Sequence, residues 1–261
     1  MVTHLKQLSA SRTLFFTWIV RDIKVRYKQS LLGASWAVVQ PLASALILAL
    51  IFSRIVPVDL GGRTPTLIFY YAGMLPWTFF SNSLSLGTNS LISNMHLVTK
   101  IYFPREIIPL SSVVASLLDL AIASSILVVL IVIEGAVISP AVALLPIALI
   151  IQVAISTAFV LAGSAFGVFY RDVRFIVPLA TQLLLYLTPV IYPVSIVPER
   201  LRDLYMLNPM AVVIEIWRAS VGATTVPQPY TIAISVGVSL LSVSLAYLYF
   251  KRVEPQMADL I

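Results

Sequence analysis

Six apolar runs, each long enough to cross a hydrocarbon core, constrain this chain more than any other feature. They fall near residues 34–53, 67–92, 107–133, 141–169, 174–195 and 230–250. A spanning helix needs about 20 residues, and a bilayer core admits only helices or closed barrels. Runs of this length predict helices, so the expected fold is an all-α integral membrane protein. One transmembrane domain, residues 1–261, accounts for the whole chain. Composition agrees: 11% of residues are charged and 59% hydrophobic, whereas soluble domains carry about 25% charged residues.

An even number of spans leaves both termini on one side, and Lys and Arg choose that side. Twelve sit with the termini: Lys6, Arg12, Arg21, Lys24, Arg26, Lys28, Lys100, Arg105, Arg171, Arg174, Lys251 and Arg252. Five sit opposite: Arg54, Arg63, Arg200, Arg202 and Arg218. The bias predicts cytoplasmic N- and C-termini. It also explains the net charge of +6 as membrane topology rather than as a nucleic-acid surface. No cleavable signal peptide is visible. The first apolar run follows a long charged segment and has the length of a span, which predicts a signal anchor.

The segment RDIKVRYKQSLLGASWAVVQP, Arg21 to Pro41, marks the cytoplasmic edge. Upstream, Phe15, Phe16, Ile19, Val20, Ile23 and Tyr27 fall on one broad helical face, and Arg21, Lys24 and Lys28 on the opposite one. That pattern predicts an amphipathic helix over 12–30 lying in the headgroup plane. The same pattern also fits a water-exposed cationic face, or a docking surface for a soluble partner. Asp22 and Arg26 lie in the same stretch. Beyond Gly33 the apolar run begins, with Trp36 inside it and a bend expected at Gln40-Pro41.

The second run is crowded with aromatics: Phe69, Tyr70, Tyr71, Trp77, Phe79 and Phe80 surround Pro76. Its second half carries Ser81, Asn82, Ser83, Ser85, Thr88, Asn89 and Ser90. Such polarity is costly against lipid tails, so this half is expected to face other helices or a water-lined path. Hydrogen bonding between helices alone is an equal alternative. The connection SNMHLVTKIYFPRE, 93–106, suits one short helix across the cytoplasmic end of the bundle.

Asp119 is the clearest acid inside a span. It predicts a buried hydrogen bond to a neighbouring helix, with a coupling role as the lesser expectation. Gly163 and Gly167 form a small-xxx-small pair that permits close helix approach. The fifth run holds Pro178, Pro189 and Pro193 with Tyr186 and Tyr192. After it, 196–229 reads as two short amphipathic helices broken at Asn208-Pro209 and dipping into the outer leaflet. Leu201 and Leu204 lie on the first of these. Span six is rich in small residues and is followed by a short charged tail.

Several chemistries are absent from the sequence. There is no GxxxxGK[ST] loop to cradle nucleotide phosphates, no HExxH or other zinc spacing around His4 and His96, no GxSxG and no cysteine. No catalytic or metal residue is expected.

Taken together, the basic helix, RDIKVRYKQSLLGASWAVVQPL, GMLPWTFFSNSL, the PRE turn, FYRDVRFIVP, TPVIYP and VPERLRDLYMLNPM resemble the membrane subunit of type-two ABC exporters. The similarity is greatest to exporters of lipid-linked polysaccharides such as O antigen or teichoic acid. It covers essentially the whole chain. Arg21-Asp22, Gly33, Trp36, Gln40-Pro41, Pro76-Trp77, Tyr170-Arg171-Asp172 and Asn208-Pro209 match the family pattern.

The resemblance implies a six-span permease in the bacterial cytoplasmic (inner) membrane, working as a homodimer with two ATP-binding cassette subunits. ATP and magnesium belong to those partners; this chain binds no cofactor of its own. It implies that 94–105, with Met95, His96, Val98, Lys100, Ile101 and Arg105, includes the helix that docks on the ATPase. It implies that 196–220, with Leu201, Leu204, Asn208 and Pro209, forms an external gate. Trp36, Tyr70, Tyr71, Trp77, Phe79, Phe80, Asn82, Tyr186 and Tyr192 then become candidates for lining the path, since aromatic faces give a sliding sugar polymer many weak contacts. Rival expectations are an exporter of the same architecture for a drug or another lipid, and an ion-coupled transporter. The latter needs coupling carboxylates, of which only Asp119 is well placed.

Overall fold

A computed structural model describes residues 11–55, 64–98 and 103–260. All regular structure among them is helical. Four stretches are long and apolar enough to cross a membrane: Gly33–Ile55, Ile107–Glu134, Pro140–Phe169 and Pro229–Met257.

In chain order, α1 is Arg12–Tyr27, α2 Trp36–Leu50, α3 Thr66–Ser93, α4 Met95–Val98 and α5 Ile107–Glu134. Then come α6 Leu145–Phe169, α7 Val173–Tyr186, α8 Glu199–Tyr205, α9 Pro209–Ser220 and α10 Pro229–Leu260. Two of the six expected spans differ from the other four. Helix α3 is 28 residues long, ample for a crossing, but its Ser, Thr and Asn lower its hydropathy. Helix α7 ends after 14 residues, about 21 Å at 1.5 Å per residue, and the chain then turns through 187–193. The expected charged tail is instead a continuation of α10 beyond Arg252.

Helix α3 is the axis of the chain. It packs against α2, α5, α6, α7 and α9 and is buried along most of its length. Glycines permit the closest approaches. A Cβ on Gly87 would lie 2.4 Å from Val160 Cγ1, and one on Gly163 would lie 2.6 Å from Thr88 Oγ1. The small pair on α6 is therefore where α3 presses against it, with Gly167 facing Ile92.

Helix ends follow local chemistry. Asn208 caps α9, its Oδ1 accepting from Met210 N at 3.0 Å, and Pro209 takes the first helical position, where no donor is missed. Gly135 ends α5 in the left-handed region at φ 65°, the usual conformation after a helix C-terminus. A second apolar cluster joins α1, the start of α5, the end of α6 and α10 around Trp18, Ile107, Leu161 and Phe250.

Candidate transport machinery

Three polar assemblies stand out. The first is the seam between α1 and α5. Asp22 and Arg26 are one helical turn apart, as are Ser112 and Ser116 on α5, with Asp119 next on the same face. The two rows match in register. Ser111 Oγ donates to Asp22 Oδ2 at 2.8 Å, and Ser112 Oγ at 3.4 Å. Arg26 forms an ion pair with Asp119, which also accepts from the Tyr27 hydroxyl. Burial holds the Asp22 carboxyl above its ordinary range, against the opposing pull of the Ser111 hydroxyl and the Arg21 charge. Burial, and then the Asp119 carboxylate, push the Tyr27 phenol up to about 12.

Asp119 makes the expected hydrogen bond to a neighbouring helix, here α1, which also supplies a basic partner in Arg26. The seam corrects one sequence expectation: the faces of α1 are divided differently. Trp18 and Ile19 are buried on the side that carries Asp22 and Arg26, while Phe16 and Val20 are exposed together with Lys24 and Lys28. Helical period alone does not show which face a neighbour covers.

The second assembly anchors both flanks of the α3–α5 connection. On one side, Arg21 Nη2 donates to Asn94 Oδ1 at 2.6 Å, and the guanidinium lies 4.3 Å from the centre of the Trp18 ring. On the other, Arg105 donates through its backbone N–H to Glu254 Oε1 at 3.1 Å and through Nη1 to Glu254 O at 2.7 Å. Lys251 Nζ reaches Glu106 Oε2 at 2.6 Å and Glu254 Oε2 at 2.9 Å. Between the flanks, Met95, His96 and Val98 form the single turn of α4. Lys100 and Ile101 lie outside the described residues.

The third is centred on Arg218, which is fully buried. Its guanidinium donates to Val190 O at 2.7 Å, to Pro189 O, and at 3.4 Å each to Phe69 O and Tyr192 O. It pairs with Glu215 Oε1 at 3.2 Å and sits 3.9 Å from the centre of the Phe69 ring. The turn after α7 exposes carbonyls that no helix satisfies, and one guanidinium, a donor fork, collects them. Gly73 makes room: a Cβ there would lie 2.9 Å from Arg218 Nη2. Counted in the sequence as an outer-loop charge, Arg218 is instead an interior cross-brace. Sequence reasoning missed it because loop-charge counting takes no account of burial. Helix α9 is likewise buried along its whole length from Met210, packed on α3 and α6 rather than dipping one apolar face into lipid.

The aromatic candidates separate into two groups. Tyr70, Tyr71, Trp77, Phe79 and Phe80 all lie in the interior of the chain. Tyr71 OH donates to Ala123 O at 2.8 Å, Tyr70 stacks on Phe52, and Trp77 packs on Phe80. In this chain Tyr70 and Tyr71 are fully buried packing groups, and Phe79 is buried beside a small internal cavity. Trp36 and Tyr186 are 51% and 55% exposed. Tyr192 is half-buried and bridges elements: its hydroxyl donates to Tyr186 O at 2.7 Å and shares a 2.9 Å bond with Tyr205 OH. Asn82 borders a small internal cavity with Thr78, Ser116 and Asp119. Much of the polar half of α3 faces inward, and Ser90 and Asn89 donate to carbonyls of their own helix. Leu201 and Leu204 are exposed. No group of His, Asp or Glu that could hold a metal occurs among the described residues.

Apolar spans around a polar-braced central helix define an integral membrane protein. Residues 13–221 match the family model of the ABC-2 type transporter, and the chain belongs to that family of membrane transport subunits. It is 30% identical over 245 residues, covering 92% of both chains, to the O-antigen export system permease protein RfbA of Klebsiella pneumoniae. It is 28% identical over 263 residues, covering 100% of both chains, to the protein of that name from Myxococcus xanthus.

Proposed function

We propose that this chain is the permease subunit of an ATP-driven exporter that carries a lipid-linked polysaccharide, of O-antigen or teichoic-acid type, across the bacterial cytoplasmic membrane. The observation that carries the reading is the similarity, over nearly the whole chain, to permeases named for O-antigen export. The sequence has no phosphate-cradling loop, so ATP and magnesium act in a separate ATP-binding cassette subunit. Two such subunits serve a homodimer.

In this reading the chain is one domain with six crossings: α2, α3, α5, α6, α7 with its following turn, and α10. Both termini are cytoplasmic. Residues 94–105 dock on the ATPase, and Met95, His96, Val98, Lys100, Ile101 and Arg105 form that surface. Its two flanks are tied to α1 through Arg21 and to α10 through Glu254, so a displacement at the dock reaches both helices. Helix α1 sits at the cytoplasmic edge of the membrane, running beside α5 from Ser111 towards Asp119 with Lys24 and Lys28 outward. Leu201, Leu204, Asn208 and Pro209 belong to an outward gate that Arg218 holds against the end of α7.

Helices α2 and α7 are among those with uncovered apolar faces, which include Leu46, Ile47, Leu179 and Leu183. These faces are the surfaces available to a second copy and to the path between copies. Trp36, Tyr186 and Tyr192, the last bonded to Tyr186 O, meet sugar rings in this reading; Tyr70, Tyr71, Trp77, Phe79, Phe80 and Asn82 support the wall behind. The test is purification of the tagged chain from its native membrane. We expect an ATP-hydrolysing subunit to co-purify and to be lost on replacing 94–98 with Gly-Ser. A chain that hydrolyses ATP by itself contradicts the reading.

A further inference from the structure

A long cavity of about 570 Å³ runs between α3, α6, α10, the end of α7 with the turn after it, and the start of α9. Its walls are apolar and aromatic. Phe80 meets Phe159 edge-on at 5.8 Å, and Phe166 stacks on Tyr249 at 5.0 Å. Phe159 and Phe166 are each more than two-fifths exposed, so the cavity opens sideways, away from the core.

Its length and depth identify an occupant. On α6 the lining runs from Ile155 to Phe166, and on α10 from Val238 to Tyr249. Each wall spans eleven residue steps, about 16 Å at 1.5 Å per residue. Half of a hydrocarbon core is about 15 Å. The groove therefore has the length of one leaflet, and it lies along the half of α6 that ends at Phe169. The polar side chains at its inner end are already engaged. At the inner end, Asn208 Nδ2 donates to Thr188 Oγ1 at 3.3 Å, and Asn208 Oδ1 is occupied by the α9 cap.

We propose that this groove holds one acyl chain of a membrane phospholipid. The chain enters from the leaflet at the α6 C-terminus, lies between the two aromatic pairs, and ends against the first turn of α9. The acyl tail then packs against the helix start at Asn208-Pro209, and the groove is a structural lipid site rather than part of a sugar path.

The test uses the full chain in nanodiscs containing phosphatidylethanolamine with a diazirine near the acyl terminus. Photolabelled positions are read by mass spectrometry. We expect labelling between Ile155 and Phe166 and between Val238 and Tyr249 several-fold above that at Val128 and Val132, which lie on the exposed face of α5. Ala162→Trp, mid-groove, should abolish the excess while leaving α5 labelling unchanged. Leu245→Trp fills the same space from α10 should the first variant fold poorly. Labelling in the groove no greater than on α5 overturns the proposal. So does efficient disulfide formation between two copies carrying Phe159→Cys, which assigns the groove to a second copy. Displacement of the phospholipid label by an equimolar polyprenyl phosphate overturns it in favour of an isoprenoid chain.

Discussion

Arg26, on the helix before the first span, pairs with Asp119 in the middle of the third apolar span, 93 positions away. The carboxylate is partly dry, 12% exposed, and Tyr27 closes its other oxygen. An acid at this depth needs a partner, and the chain supplies it from a helix that otherwise reads as a surface element. The pair thus fixes α1 against α5 and sets where the basic helix lies.

Asp119→Asn leaves Arg26 without its counter-charge. The expected loss in unfolding free energy is clear but below the about 3–5 kcal/mol of a fully buried pair, because Arg26 retains some solvent. The double change Arg26→Gln with Asp119→Asn should recover part of it. Thermal unfolding in detergent across the four variants measures the coupling, and strictly additive effects contradict the pairing.

Asp22→Asn should be much milder. Burial already disfavours the charged carboxyl, and an Asn oxygen still accepts from Ser111. A melting shift as large as that of Asp119→Asn would show that the Asp22 charge, not its hydrogen bonds, holds the seam.

Arg218 collects five oxygens, those of Phe69, Pro189, Val190, Tyr192 and Glu215. Lysine keeps the charge but has only three donors on a flexible stem. Arg218→Lys is therefore expected to loosen the 187–193 turn, and Arg218→Met to cost about 3–5 kcal/mol by stranding Glu215. Amide exchange over 187–193 should accelerate in both. Unchanged protection there contradicts the brace.

Close helix packing gives a graded series. Gly87→Ala and Gly163→Ala place a Cβ 2.4 Å and 2.6 Å from neighbouring side-chain atoms and should destabilise by about 1–3 kcal/mol. Gly237 has nothing within 4 Å, so Gly237→Ala should be neutral or stabilise by about 0.5–1 kcal/mol through helix propensity. Equal melting points for all three would refute the assigned α3–α6 contact.

The sequence was most legible where a local rule decides the structure. Apolar run lengths placed α2, α5 and α6 within a few residues, and Asn208-Pro209 marked the break before α9. Gly163 and Gly167 pointed to a close approach without naming α3 as the neighbour. What escaped was set by long-range packing. The depth at which Tyr70, Tyr71 and Phe79 are buried was not legible, because nothing in their spacing reveals that five other helices surround α3. Arg218 looked like a loop charge because its acceptors, the carbonyls after α7, become available only once that helix stops at Tyr186. The partner of Asp119 escaped because it lies outside the spans.

The central claim, export of a lipid-linked polysaccharide, is tested most directly by depleting this chain in its native cell. The measurement is the fraction of newly made lipid-linked polymer reached by an external lectin in spheroplasts. Depletion should leave polymer synthesis running while the accessible fraction falls towards zero, and restoring the chain should return it. An accessible fraction that stays at its starting level in depleted cells contradicts the account.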